Sequence, residues 1–210
     1  MPRCRKEQPM PYFEYGPKEI EHLKKKDKKL GAAIDRIGLI ERETKPDVFL
    51  AIVDSIVSQQ ISSKAADTVL ERLCRLLGDV TAARIAVTEI GRIQACGMTM
   101  KKAGYIKNIA DKVLSGELAL DELPTLPDDE VIKRLVSLDG IGVWTAEMLL
   151  LFALGRPNVV SYGDLAIRRG MMNLYGLKDL PKAKFERYRK RYSPYGSVAS
   201  LYLWQLAVME

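Results

Sequence analysis

Along most of this chain, apolar residues recur every three to four positions, and the strict alternation of a half-buried strand is scarce. The pattern predicts helices over Lys18 to Lys26 and Lys28 to Ile37, with a break near Gly38. A strongly apolar helix follows over Val48 to Ser58, with Phe49, Ile52, Val53 and Ile56 on one face and Pro46-Asp47 at its start. A polar break, Ser58-Gln59-Gln60, separates it from a long helix running from Ser62 to Leu77 and closed by Gly78. Short helices are predicted over Ala82 to Ile85 and Thr88 to Gln94. A longer one, Met100 to Leu114, has Thr99 as its cap. After the linker Leu123 to Pro127, Asp128 is read as the cap of a helix carrying Val131, Ile132, Leu135 and Val136. Helices Val143 to Leu154, Asp164 to Leu174, Lys182 to Tyr192 and Ser197 to Glu210 complete an all-α reading, with no repeat and no low-complexity tract.

Composition narrows this reading only slightly. A chain of 210 residues with 47% hydrophobic positions can build one compact domain or two small lobes around a shared cleft. The formal net charge of +6 suits a polyanionic partner without requiring one. The three cysteines, Cys4, Cys74 and Cys96, are widely spaced and form neither a disulfide framework nor a metal-ligand set, which points to a reducing compartment. The basic start Met1 to Lys6 is not followed by an apolar run, so no signal peptide is expected. The longest apolar run, Met148 to Leu154, is far short of the about 20 residues a membrane span needs. A soluble, cytoplasmic protein is expected, associated with the nucleoid if the source is prokaryotic.

Candidate chemistry concentrates in two places. Leu138-Asp139-Gly140-Ile141-Gly142 reads as a tight turn between two helices. Its glycines can bring backbone N–H groups close to a partner, and the helix that follows directs its positive end the same way, an arrangement that favours a phosphate. The plainer reading is a pair of turn glycines in a helical hairpin. Asp164, after Ser161-Tyr162-Gly163, is either a helix cap or a fixed, ionised carboxylate, and the two roles are compatible. Trp144 and Trp204 are core residues or a stacking surface for an extruded base. His22 is the only histidine, so Ser-His-Asp and Cys-His arrangements are not supported. No Walker-type phosphate loop and no Rossmann fingerprint occur. The lysine-rich run Lys24 to Lys29 reads as a solvated helix face, and Lys182 to Arg191 reads the same way or as a contact to DNA phosphates.

The segment Leu138 to Ala146, with Asp164 downstream, resembles the helix-hairpin-helix DNA glycosylase superfamily, and within it the alkylation-repair group of 3-methyladenine DNA glycosylase II. Three further segments are similar to that group: Ile56 to Ser62 to its helix break on the DNA-facing side, Gly97 to Ala103 to a later loop, and Ser197 to Trp204 to its final aromatic-bearing helix. The likeness runs from about Pro46 to Glu210.

The resemblance implies an all-α fold of two helical lobes around a cleft. The chain would be a single glycosylase domain spanning 1–210, with lobes of roughly 1–45 plus 125–210 and 46–124. It implies a catalytic Asp164 and a base pocket lined by Trp144, Met148 and Trp204. DNA would be gripped by Gly140, Gly142 and Thr145, and Gln60 would wedge into the duplex. Backbone carbonyls of Val136, Leu138 and Ile141 would hold a structural monovalent cation. The partner would be double-stranded DNA containing damaged bases, bound by a monomer with no cofactor for catalysis and no membrane association. Two departures matter. Strand-cutting members carry a lysine nucleophile immediately before the Thr-Ala of the hairpin helix, and here Trp144 stands in that place, which implies a monofunctional enzyme. No cysteine follows Cys96, so no iron–sulfur cluster is expected near the C-terminus. The competing expectations are a monofunctional enzyme for other damaged or mismatched bases, a non-catalytic helix-hairpin-helix DNA-binding protein, and an unrelated helical scaffold.

Overall fold

The structure is a computed structural model that describes residues 11–209; the basic start 1–6, with Cys4, and Glu210 lie outside the described residues. Among the described residues there are twelve α-helices and one short 3-10 turn, Leu123–Thr125. The helices are α1 (Pro17–Lys26), α2 (Lys28–Ile37), α3 (Val48–Ser58), α4 (Ser63–Leu77), α5 (Ala82–Val87) and α6 (Ile90–Gln94). They continue with α7 (Met100–Leu114), α8 (Asp128–Val136), α9 (Val143–Phe152), α10 (Leu165–Tyr175), α11 (Lys182–Tyr192) and α12 (Gly196–Val208). The only extended pairing among the described residues is an isolated bridge between Tyr12 and Glu43.

Local chemistry sets most of the boundaries. Asp47, Ser62, Thr81 and Thr99 each accept a backbone N–H from the first turn of the helix they precede, at 3.1 to 3.3 Å. Two cap assignments change. Asp47 itself is the cap of α3, so Pro46 stands before the cap and not at the first helical position. Asp128 lies inside the first turn of α8 and Pro127 takes the cap position. Asp128, Asp129 and Glu130 then stabilise that helix end through its dipole.

The chain divides into two compact units, one of 45–149 and one of 11–44 with 150–209 among the described residues; the division falls inside α9. In the first unit α7 is the central helix, packed against α3, α5 and α6. Its core includes Ile52, Ile56, Leu73, Ile85, Ile93, Ile106 and Leu123, all fully buried. Lys107, on α7, clamps the end of α5 by donating to the carbonyls of Ala86 (2.6 Å) and Thr88 (3.0 Å). Cys74, on α4, is disulfide-bonded, which corrects the expectation that the cysteine spacing provides no disulfide, while Cys96 is a buried free thiol.

In the second unit α10 and α12 form the most extensive helix pair. Asp27 ends α1 and caps α2, and it is buried. It accepts N–H bonds from Lys29 and Leu30, the Tyr175 hydroxyl at 2.6 Å and the Arg191 guanidinium at 3.2 Å. The Tyr175 and Tyr192 hydroxyls lie 2.8 Å apart, and burial pushes both phenols well above the ordinary tyrosine range. The lysine-rich run is therefore solvated at Lys25, Lys26, Lys28 and Lys29 but has a buried carboxylate at its centre.

Gly170 shows how closely α10 and α12 approach: a Cβ built there would lie 1.9 Å from the Leu203 carbonyl oxygen. Backbone cannot yield as a flexible side chain can. We therefore expect Gly170→Ala to destabilise the protein by more than about 2 kcal/mol in equilibrium urea unfolding.

Candidate functional site

The hairpin joins α8 to α9 within the first unit. Leu138 and Ile141 are 4% exposed and anchor it in the core. The Leu138 N–H donates to the Leu135 carbonyl and the Ile141 N–H to the Leu138 carbonyl, each at 3.1 Å, which closes the turn. Gly140 has φ +84°, and a Cβ there would meet the Tyr105 ring at 2.5 Å, so both backbone conformation and space exclude a side chain. Gly142 differs: its φ is not positive and nothing lies within 4 Å of a built Cβ. It is exposed, and its carbonyl accepts the Ala146 N–H at 2.9 Å, so α9 starts directly after it. The first turn of a helix has N–H groups without an intrahelical acceptor. Here that turn adjoins an open backbone surface, the geometry suited to an anion. Val136 and Val143 flank it and are 38% and 55% exposed.

The break between α3 and α4 belongs to the same unit. Gln60 is exposed, with φ +58°, a left-handed conformation uncommon for a residue other than glycine. Ile61 beside it is 40% exposed. The Gln59 side-chain amide donates to the Gly140 carbonyl at 2.7 Å. Lys102, from the segment Gly97 to Ala103, donates to the carbonyls of Val57 (2.8 Å) and Gln59 (2.6 Å). Burial lowers the Lys102 ammonium from its ordinary lysine value. None of these three bonds is visible in the sequence.

Asp164 belongs to the second unit. It is 6% exposed and caps α10, accepting the Ile167 N–H at 2.9 Å. The loop that leads to it is tied down by the first turns of α12. The Ser197 hydroxyl accepts the Val159 N–H at 2.9 Å, the Ser200 hydroxyl donates to the Val159 carbonyl at 2.8 Å, and the Ser197 N–H donates to the Pro157 carbonyl at 2.9 Å. Ser161, Ser197 and Ser200 are fully buried. Sequence spacing suggested the cap but not these serine ties.

Trp144 is 49% exposed, so it is not a core residue, and Met148 one turn on is half-buried. Thr145 is 8% exposed. In the second unit, Trp204 is half-buried and stacks on Phe152, with ring centroids 5.6 Å apart at 22°. The Arg42 guanidinium lies 5.4 Å from the Phe152 centroid. Sequence reasoning missed Phe152, which sits at the end of an apolar helix with nothing to mark it. His22 has a structural role: Nε2 donates to the Ser193 carbonyl at 2.9 Å, and the ring packs edge-on against Tyr195. Among the described residues no cluster of His, Cys, Asp and Glu could hold a metal ion, and no helix is long and apolar enough to cross a membrane.

Residues 53–194 match the model of the HhH-GPD superfamily base excision DNA repair proteins. A curated relative, DNA-3-methyladenine glycosylase 1 of Schizosaccharomyces pombe, is 31% identical over 77% of this chain and 73% of its own length. A crystal structure of DNA-3-methyladenine glycosidase from Bacillus halodurans is similar with a TM-score of 0.86 at 35% identity, covering 95% of this chain and 94% of that one. The Schizosaccharomyces pombe 3-methyladenine DNA glycosylase Mag1, in complex with abasic DNA, gives a TM-score of 0.78 at 30% identity, covering 90% and 95%.

The two hairpin glycines serve different ends, and stability measurements separate them. We expect Gly140→Ala to lower unfolding free energy by more than about 1 kcal/mol, through backbone strain and the Tyr105 clash. Gly142→Ala should stay within about 0.5 kcal/mol of the parent in the same denaturant titration.

Proposed function

Because the chain belongs to the HhH-GPD superfamily of base excision DNA repair proteins, we propose that it is a monofunctional DNA glycosylase that hydrolyses the N-glycosidic bond of alkylated purines of the 3-methyladenine type. The observation that carries this reading is the buried, rigidly seated carboxylate of Asp164, inside the matched residues.

An alkylated purine nucleoside carries positive charge on the base, so the base leaves neutral when the bond to C1′ breaks and needs no strong general acid. The sugar passes through an oxocarbenium-like state, which an ionised Asp164 stabilises electrostatically. Water adds to C1′ and gives its proton to the Asp164 carboxylate, which releases it to solvent. Trp144 stands where strand-cutting relatives carry their lysine nucleophile, so no covalent enzyme–sugar step is assigned. Base recognition is assigned to aromatic faces: Trp144, with Met148 one turn on, and Trp204, supported by Phe152. Such faces favour a cationic base over a neutral one by about 0.5–2 kcal/mol. DNA phosphate is assigned to the backbone N–H groups at Gly140, Gly142 and the first turn of α9; Thr145, being buried, would contribute there through its backbone. Gln60 is assigned to the gap left by the extruded base.

A structural monovalent cation on the carbonyls of Val136, Leu138 and Ile141 suits the hairpin's donor chemistry. These are neutral backbone oxygens, the ligand type potassium takes. The Leu138 carbonyl accepts a single bond from the Ile141 N–H within the turn, and a carbonyl has two lone pairs. Such an ion would brace the turn and take no part in bond cleavage. The catalytic reading needs neither a cofactor nor an iron–sulfur cluster.

Two measurements test these assignments. Asparagine can still cap α10, so Asp164→Asn should fold. It should lose at least about 10³-fold in base release from methylated DNA while retaining affinity for the same duplex. Full excision by this variant would remove the catalytic assignment, and a parent protein that binds but releases no base from a lesion panel would favour a non-catalytic DNA-binding module. For the cation, the melting temperature in 0.1 M-scale potassium chloride should exceed that in choline chloride of equal ionic strength by about 2–4 °C. Equal melting temperatures would remove it.

A further inference from the structure

In the first unit, one side chain connects the hairpin to the α3–α4 break. The Gly140–Ile141 peptide is held on both sides: its carbonyl accepts the Gln59 amide at 2.7 Å, and its N–H donates to the Leu138 carbonyl at 3.1 Å. The peptide that precedes Gln60 is held as well, since the Gln59 carbonyl accepts from the Lys102 ammonium at 2.6 Å. Lys102 also binds the Val57 carbonyl, two residues earlier. Gln60 is thereby kept at φ +58° although it is not glycine. A conformation of that kind is disfavoured for a residue with a side chain and persists where the surroundings over-determine it. Gln60 and Ile61, the residues presented there, are exposed, and a polar side chain next to a β-branched apolar one is suited to entering a base stack.

We propose that Gln59 is a positioning residue that holds the phosphate-gripping hairpin and the wedge residue Gln60 in one fixed register, so that backbone capture and base extrusion act together. This rests on reading the chain as a DNA glycosylase. Gln59 touches no reacting atom; it acts through Gly140 on one side and Gln60 on the other. Its amide is the donor because a carbonyl oxygen can only accept.

The test uses the full chain and a duplex with 2-aminopurine opposite a tetrahydrofuran abasic-site analogue, so that fluorescence reports entry into the stack without any bond cleavage. Gln59→Met keeps the side-chain length and removes the donor; Gln59→Glu keeps the shape and sets a carboxylate against the carbonyl. Both should lower the fluorescence response to the level of Gln60→Ala and weaken duplex binding about tenfold. Gln59→Met combined with Gln60→Ala should be no worse than either change alone, since both interrupt one link. An unchanged fluorescence response in both Gln59 variants, or additive losses in the double variant, would overturn the proposal. If the parent protein gives the response but releases no base, the glycosylase reading fails and the coupling stands. If base release is normal and the Gln59 variants respond as the parent does, the coupling fails alone.

Discussion

Every α-helix ends with backbone groups that its own hydrogen bonding cannot satisfy. A chain of many short helices meets that constraint again and again, and here it is met with unusually specific side chains. Asp27, Asp47, Ser62, Thr81, Thr99 and Asp164 accept the open N–H groups at helix starts. At helix ends the work falls to cations from elsewhere in the sequence: Lys102 for α3, Arg84 for α4 and Lys107 for α5. The core supplies the driving force for collapse. These terminal contacts decide where each helix stops and how its end is oriented.

The same constraint places the chemistry. A helix N-terminus favours an anion, and the start of α9 after Gly142 is the one the proposal uses for phosphate. A carboxylate that caps a helix start is held in place by the N–H groups it accepts, and Asp164 at α10 is the one assigned to the sugar cation. On the proposed reading, one structural requirement supplies both the phosphate position and the position assigned to the sugar cation. The loop before Asp164 gains its rigidity from buried serines on α12, so the aspartate is seated from the far end of the chain.

How much of this was legible depends on the range of the interaction. Short-range signals were readable: α2, α7 and α11 have the boundaries that periodicity predicts, and the caps Thr99 and Asp164 were read from their neighbours. Where a local rule offered two candidates, one residue of slippage resulted, as with Pro46 against Asp47 and Asp128 against Pro127. Long-range contacts left no local trace. Asp27 lies within the lysine-rich run that reads as a solvated helix face, yet it is buried and binds Tyr175 and Arg191, more than a hundred residues away in sequence. The bonds from Gln59 to Gly140 and from Lys102 to the α3 end span 81 and 43 to 45 positions. Family resemblance had already marked Ile56 to Ser62 and Gly97 to Ala103 as segments of interest; the hydrogen bonds supply the physical reason they matter.

The hairpin shows why a motif should be taken apart residue by residue. Gly140 and Gly142 look equivalent as a G-x-G pair. In the folded chain the first is required by its positive φ and by the Tyr105 ring, both internal demands of the fold. The second has an ordinary backbone and open space, so nothing inside the protein demands a glycine there. That open side suits the backbone contact to phosphate proposed for the start of α9. Ile141 between them is buried and separates the inward-facing role from the outward-facing one. A glycine that the fold does not need is therefore stronger support for an external ligand than one that it does.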